Sequence, residues 1–128
     1  MNPLKHIEYN ETIGLFGPIK FWELNWADIE SSYNGCGAGW NEGIVPDRIW
    51  GTDIRVCCQI HDHMYAWGDS DWDRLVADMI FLINLIFRIQ NESKMKFLNP
   101  LRYYRAVTYF VFVRTFGGVA FKKEETTT

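Results

Sequence analysis

RVCCQIHDHMY, residues 55–65, is the stretch that does most to determine the fold and the function of this chain. At helical spacing, positions i, i+3, i+4 and i+7 share one face. The residues on that face are Cys58, His61, Asp62 and Tyr65. A core-facing helix surface is usually aliphatic, and ionisable side chains are rarely buried without partners. The stretch therefore predicts a site-bearing helix, over residues 53–67 with Gly68 at its end.

A second helix is predicted to open at residues 69–71 and to run to about Gln90, and its buried face carries a single charge, Asp78. The apolar positions expected on that face are Leu75, Leu82, Leu85, Ile86 and Ile89. A buried carboxylate is costly unless it is paired. The short link WGDS makes the two helices antiparallel, which puts His61 and Asp78 at comparable distances from the turn. His61 is therefore the predicted partner of Asp78.

A glycine-rich stretch, YNGCGAGWNEGIVPD at residues 33–47, precedes the first helix. Its four glycines and one proline favour a loop over a helix or strand. Glycines at alternate positions, Gly35, Gly37 and Gly39, allow backbone carbonyls to turn toward a common centre, which a hard cation requires. From these residues alone, the stretch is either a cation-binding loop or an ordinary connector.

Three motifs resemble the secreted phospholipase A2 superfamily, and its small bacterial or phage-type members are the nearest comparison. CCQIHDHMY at 57–65 resembles the family's active-site pattern CCxxHDxCY. NGCGAGWNEG at 34–43 resembles its calcium loop, and ADMIF at 77–81 resembles an ADxxF segment whose aspartate holds the catalytic histidine. The resemblance covers roughly residues 34–85. It implies calcium-dependent hydrolysis of the sn-2 ester of glycerophospholipids, with release of a fatty acid and a lysophospholipid.

The resemblance also implies a role for each matching residue. His61 is expected to activate a water molecule as general base, while Asp78 fixes its other ring nitrogen. Tyr65 is expected to donate a hydrogen bond to Asp78, and the Gly37 amide to donate to the oxyanion. The calcium ligands implied are the backbone carbonyls of Gly35, Gly37 and Gly39 together with the carboxylate of Asp62. The partner implied is a phospholipid membrane surface or micelle.

Cysteine usage allows at most one disulfide bond within the chain, because there are three cysteines. Cys36 with Cys58 is the expected pair, since it would connect the glycine loop to the site helix, although a reduced form stays open. The family's usual cysteine at position 64 is Met64 here. The resemblance favours a secreted protein, but no signal peptide is readable in the first residues.

Composition and length set the class of protein. With 128 residues, 48% of them apolar and 23% charged, the chain is expected to form one globular domain, with an irregular arm at 1–17 and a polar tail at 122–128. The net charge of −3 argues against nucleic acid as a partner. Residues 79–87 are nearly all apolar, but this stretch is far below the roughly 20 residues of a transmembrane helix. A monomer is expected.

The predicted fold class is all-α: an antiparallel helix pair that carries the site, a glycine-rich calcium loop, and packing helices toward both termini. The N-terminal helix is expected over residues 18–31 and the C-terminal one over residues 101–116. Trp22 and Trp26 suit either core packing or a lipid-facing collar. The arginines of the C-terminal helix, which suit core packing or contact with anionic headgroups, are Arg102, Arg105 and Arg114.

Two other functions are alternatives to the phospholipase interpretation. The first is a non-catalytic calcium- or lipid-binding protein on the same fold, in which Trp40 obstructs the loop. The second is a zinc site built from Cys57, Cys58, His61 and His63. Zinc is disfavoured because His63 points about 200° away from His61 on a helix and adjacent cysteines diverge.

Overall fold

The structure is a computed structural model that describes residues 6–24 and 46–118. This part of the chain is predominantly helical, in agreement with the predicted class, but it also contains two small antiparallel strand pairs. The elements are β1 (Ile7–Asn10), β2 (Leu15–Pro18), α1 (Ile19–Trp22), β3 (Arg48–Ile49), β4 (Thr52–Asp53), α2 (Arg55–Trp67), α3 (Asp71–Glu92), a 3₁₀ turn (Lys96–Leu98) and α4 (Asn99–Phe116). The glycines of the predicted calcium loop and the predicted polar tail lie outside the described residues.

The predicted irregular arm, residues 1–17, contains instead a β-hairpin formed by β1 and β2. Asn10 closes its turn, because its Oδ1 accepts a hydrogen bond from the Ile13 amide at 3.1 Å and its carbonyl accepts one from the Gly14 amide at 2.7 Å. Gly14 has φ +82°, a conformation that glycine adopts without steric cost. The glycine that suggested irregular chain therefore serves as a turn residue.

The N-terminal helix is also shorter than the predicted range 18–31, because α1 ends at Trp22 and residues 25–31 lie outside the described part. The Trp22 side chain folds back onto the hairpin. Its indole N–H donates to the carbonyls of Glu8 and Gly17, both at 3.2 Å. Trp22 thus packs against the protein's own backbone, as in the core-packing interpretation of this residue.

The central pair, α2 and α3, is antiparallel. Arg74 reaches Tyr65 near the connecting turn, whereas Thr52 Oγ1 and Ser93 Oγ lie 2.6 Å apart at the opposite end. Ser70 caps α3 by accepting a hydrogen bond from the Asp73 amide at 3.1 Å. The first helix begins two residues later than predicted, at Arg55, because residues 52–53 pair with β3.

The buried face of α3 differs from the predicted one. Asp78, Leu85 and Ile89 are buried as expected, but Leu75, Leu82 and Ile86 are only half-buried. The other buried positions of this helix are Asp73, Ala77, Phe81 and Asn84. The buried face of α3 is therefore rotated about the helix axis, toward one side of the predicted apolar positions.

Asn84 explains part of this rotation, since its amide binds the backbone of Phe16 in the hairpin. The Phe16 amide donates to Asn84 Oδ1 and Asn84 Nδ2 donates to the Phe16 carbonyl, each at 2.8 Å. Both polar groups of a fully buried side chain are therefore satisfied.

α4 packs along α3 and places its last turn over the α2–α3 pair. It begins two residues before the predicted start, at Asn99, with Pro100 in its first turn. Its buried residues are Arg102, Ala106, Tyr109 and Val113. Within residues 6–24 and 46–118, no helix combines the length and the apolar character needed to cross a membrane.

Candidate active site

Asp78 is the centre of a buried polar cluster that draws on three helices. Its Oδ1 lies 2.8 Å from Nε2 of His61 and accepts a hydrogen bond from the Tyr65 hydroxyl at 2.6 Å. Its Oδ2 accepts from Nη1 of Arg114 at 2.8 Å and from Nη1 of Arg74 at 3.4 Å. The structure thus brings together three residues singled out in the sequence, His61, Tyr65 and Asp78.

Helix geometry accounts for this convergence. His61 and Tyr65 are four residues apart in α2, and Arg74 and Asp78 are four residues apart in α3, so each pair lies on one helix face. Arg114 comes from the last turn of α4. The antiparallel packing of α2 and α3 then sets the two faces against each other.

The electrostatics of the cluster keep Asp78 ionised. Burial is the strongest influence and by itself would raise the pKa of Asp78. The hydrogen bond and charge of His61, followed by the hydrogen bonds from Tyr65 and Arg114, outweigh it, so the pKa lies below its ordinary value. Burial, and then the adjacent Asp78 charge, raise the pKa of Tyr65, which therefore stays a phenol and donates its proton.

His61 is held in a fixed orientation, with only 4% of its surface exposed. Its ring contacts those of Tyr65 and Phe81, with centroid distances of 4.3 and 4.6 Å. An ionised carboxylate can only accept, so the proton between His61 and Asp78 belongs to Nε2. In neutral imidazole Nδ1 then carries the free lone pair. Within the described part of the chain, Nδ1 makes no hydrogen bond.

Arg74 and Arg114 are the members of the cluster that sequence reasoning missed. Besides contacting Asp78, Arg74 donates to the carbonyls of Val113 and Arg114, both at 3.1 Å, and so attaches α3 to the end of α4. The i, i+4 spacing of Arg74 and Asp78 was a usable signal. Arg114 lies 36 residues beyond Asp78, and no local pattern indicates their contact.

Of the predicted calcium ligands, only Asp62 lies among the described residues. Asp62 lies on the exposed surface of α2, directly after His61, and its carboxylate is a hard oxygen donor of the type that calcium prefers. Gly35, Gly37 and Gly39 lie outside the described residues. Among the residues that are described, no group of three or more His, Cys, Asp or Glu side chains is placed to hold a metal ion.

The two neighbouring cysteines of α2 differ in state. Cys57 is a free thiol, and burial raises its pKa to about 12. Cys58 is disulfide-bonded. Its expected partner, Cys36, lies outside the described residues, so that pairing stays a prediction. His63 is half-buried, with its ring against those of Phe21 and Trp67, and burial lowers its pKa.

Comparison of the chain with protein-family models, with curated proteins and with solved structures finds no match. The function therefore has to be inferred from the motifs, together with the geometry and chemistry of the His61–Asp78 cluster.

Proposed function

We propose that this protein is a calcium-dependent phospholipase A2-type hydrolase that cleaves the sn-2 ester of glycerophospholipids. The observation that carries the proposal is the 2.8 Å contact between Nε2 of His61 and Oδ1 of Asp78, inside a buried cluster that keeps the carboxylate ionised. The three sequence motifs, through their resemblance to the phospholipase A2 superfamily, indicate the substrate class.

His61 acts as the general base. Its Nδ1 takes a proton from a water molecule as the water oxygen bonds to the ester carbonyl carbon. Asp78 holds the tautomer with the proton on Nε2 and stabilises the imidazolium that forms. The same proton then passes to the departing glycerol oxygen as its bond to the acyl carbon breaks. The products are a fatty acid and a lysophospholipid.

Tyr65, Arg74 and Arg114 act through Asp78. Tyr65 and Arg114 donate to opposite oxygens of the carboxylate, at 2.6 and 2.8 Å, which fixes its plane relative to the His61 ring. Charge-assisted hydrogen bonds of this kind are stronger than neutral ones. These residues therefore position the base through Asp78.

Calcium fits this proposal through Asp62, whose exposed carboxylate is the described member of the predicted ligand set. The backbone carbonyls of Gly35, Gly37 and Gly39 would complete that set. A bound calcium ion supplies positive charge that stabilises the developing oxyanion and binds the substrate phosphate. The Gly37 amide, by resemblance, is a second donor to the oxyanion.

The test is fatty-acid release from phosphatidylcholine vesicles, in calcium and in chelator, by the wild type and by His61→Gln. We expect release in calcium only, and a decrease of about 10²- to 10⁴-fold in the variant, the usual contribution of a general base. His63→Gln is the matched control, because His63 lies on the same helix and outside the cluster, and it should keep its activity.

Two results would oppose the proposal. Undiminished release by His61→Gln would remove this residue from the chemistry. Calcium-dependent binding to vesicles without any release would instead support a non-catalytic calcium- or lipid-binding protein on the same fold.

A further inference from the structure

A pocket of about 490 Å³ lies away from the His61–Asp78 cluster, toward the other end of α3. The turn between β3 and β4, the C-terminal end of α3 and the start of α4 enclose it. Arg88, which lines it, follows Asp78 by ten residues of the same helix, or about 15 Å along the axis. The pocket is therefore a separate feature of the molecule.

The lining of the pocket is basic, although the whole chain has a net charge of −3. Its basic side chains are Arg48, Arg88, Lys94 and Arg102, and its acidic ones are Asp53 and Glu92. Asp53 is already paired, with its Oδ2 at 2.7 Å from Arg55 Nη2 and 3.9 Å from Arg48 Nη2. The pocket thus has an excess of positive charge.

Arg102 is the most unusual of these side chains, because it is a guanidinium with only 2% of its surface exposed. Its terminal nitrogens donate to three neutral oxygens: the Met95 carbonyl at 3.2 Å, Asn99 Oδ1 at 2.8 Å and the Trp50 carbonyl at 2.7 Å. No described carboxylate pairs with it, and its buried Nε has no hydrogen-bond partner. Arg88 has a buried, unpartnered Nε as well. Buried charge of this kind calls for a counter-ion.

Backbone strain is found at the same place. Trp50 and Met95 both line the pocket, and they are the non-glycine residues with positive φ in the described part of the chain, at 47° and 52°. Arg102 holds the carbonyl of each. Strained residues persist where the surroundings over-determine them, and they cluster at ligand sites. Arg102 therefore fixes the walls of the pocket.

We propose that this pocket binds a phosphate-bearing small molecule, whose phosphate is held by Arg88 and Arg102. Guanidinium N–H groups match phosphate oxygens in geometry and charge. A pocket of about 490 Å³ is larger than phosphate alone, and Trp50, Met95 and Leu98 provide an apolar wall for an organic portion. The same chemistry is offered by a free phosphorylated compound and by a phospholipid headgroup.

The experiment is an NMR titration of ¹⁵N-labelled protein with inorganic phosphate and with sn-glycerol 3-phosphate. It uses the His61→Gln variant in chelator, so the result is independent of the hydrolase proposal. The Nε–H signals of Arg88 and Arg102 should shift and saturate. Arg88→Gln should weaken binding about tenfold, as expected for one charge-assisted contact. Arg105→Gln removes an equal charge from the exposed side of α4 and should change nothing.

A second measurement identifies the source of the phosphate. Cosedimentation with phosphatidylglycerol vesicles that is lost in Arg88→Gln supports a lipid headgroup, whereas binding of sn-glycerol 3-phosphate without cosedimentation supports a free ligand. Arg88 is the residue substituted because Arg102 also holds the backbone. The proposal would be overturned if the Nε–H signals stayed unchanged with every probe. It would also be overturned if Arg88→Gln and Arg105→Gln bound sn-glycerol 3-phosphate with equal affinity.

Discussion

At the scale of single residues, the stability of the cluster depends on the charge of Asp78. We expect Asp78→Asn to lower the free energy of unfolding at pH 7 by about 3 kcal/mol, because it leaves the partly buried guanidinium groups of Arg74 and Arg114 without a counter-charge. Urea unfolding measures this. Asp71→Asn, at an exposed first-turn position of α3, is the control, with an expected loss below about 1 kcal/mol. Equal losses in the two variants would contradict a central role for Asp78.

The stability of the wild type and of Asp78→Asn at different pH values tests the pKa of Asp78. A folded-state pKa below the unfolded value of about 3.9 means that the unfolded chain takes up the proton first as the pH falls. The stability from the Asp78 charge is therefore complete at pH 5–7 and decreases below about pH 4. Urea midpoints at pH 7, 5 and 3 should show the difference between wild type and Asp78→Asn narrowing only at pH 3. A constant difference would mean that the pKa is not lowered.

Part of the polar cluster around Asp78 could be predicted from the sequence, because the spacing of residues along each helix determines which of them share a face. His61 and Tyr65 share a helix face, and Asp78 is an isolated charge among apolar residues, so each could be identified without coordinates. Arg114 could not, since its contact with Asp78 depends on how α4 crosses the helix pair. The unpaired nitrogens of Arg88 and Arg102 are likewise a product of packing.

At the scale of elements, Asn84 hydrogen-bonds the hairpin to α3, next to the ring contacts of Phe87 with Tyr9 and Phe16. Asn84→Ala leaves the Phe16 amide and carbonyl without these partners, so we expect a loss of about 2–3 kcal/mol. Hydrogen exchange should also become faster in β1 and β2, while the α2–α3 pair stays protected. Gln90→Ala, on the exposed surface of the same helix, should leave both measurements unchanged. Unaltered hairpin protection in Asn84→Ala would rule out this attachment.

The end of α4 closes over the site at Gly117. A Cβ atom there would lie 2.5 Å from the Tyr65 hydroxyl and 2.5 Å from the Val113 carbonyl oxygen. We therefore expect Gly117→Ala to destabilise the fold by about 1–3 kcal/mol and to disturb the Tyr65–Asp78 hydrogen bond. Gly118→Ala meets nothing nearer than 3.7 Å and should be neutral in thermal unfolding. Similar melting temperatures for the two variants would contradict the crowding at Gly117.

Helices were easier to predict than strands for a physical reason. The starts and ends of α2, α3 and α4 lie within about two residues of the predicted ones, because helix ends depend on local residues such as the caps Ser70 and Gly68. The hairpin depends on pairing between two short segments and on Asn84, far along the chain. The buried face of α3 was misjudged for the same reason, since the burial of Asn84 depends on that distant partner.

At the scale of the whole molecule, the proposed calcium site should affect global stability. A ligand that binds only the folded state stabilises it by about 2.7 kcal/mol at 100 times its dissociation constant. Calcium should therefore raise the melting temperature of the wild type above its value in chelator, and Asp62→Asn should abolish that increase. Magnesium at the same concentration is the control for ionic strength. An equal increase in both proteins would exclude Asp62 as a ligand.

The buried free thiol of Cys57 provides a built-in probe of the integrity of the core. Alkylating reagents attack only thiolate, and a pKa of about 12 leaves almost none of it at neutral pH. Iodoacetamide should therefore modify Cys57 only when the helix pair opens, and the rate, followed by mass spectrometry, would report how often the native fold comes apart. The native cysteine can thus report the frequency of transient unfolding without an engineered label.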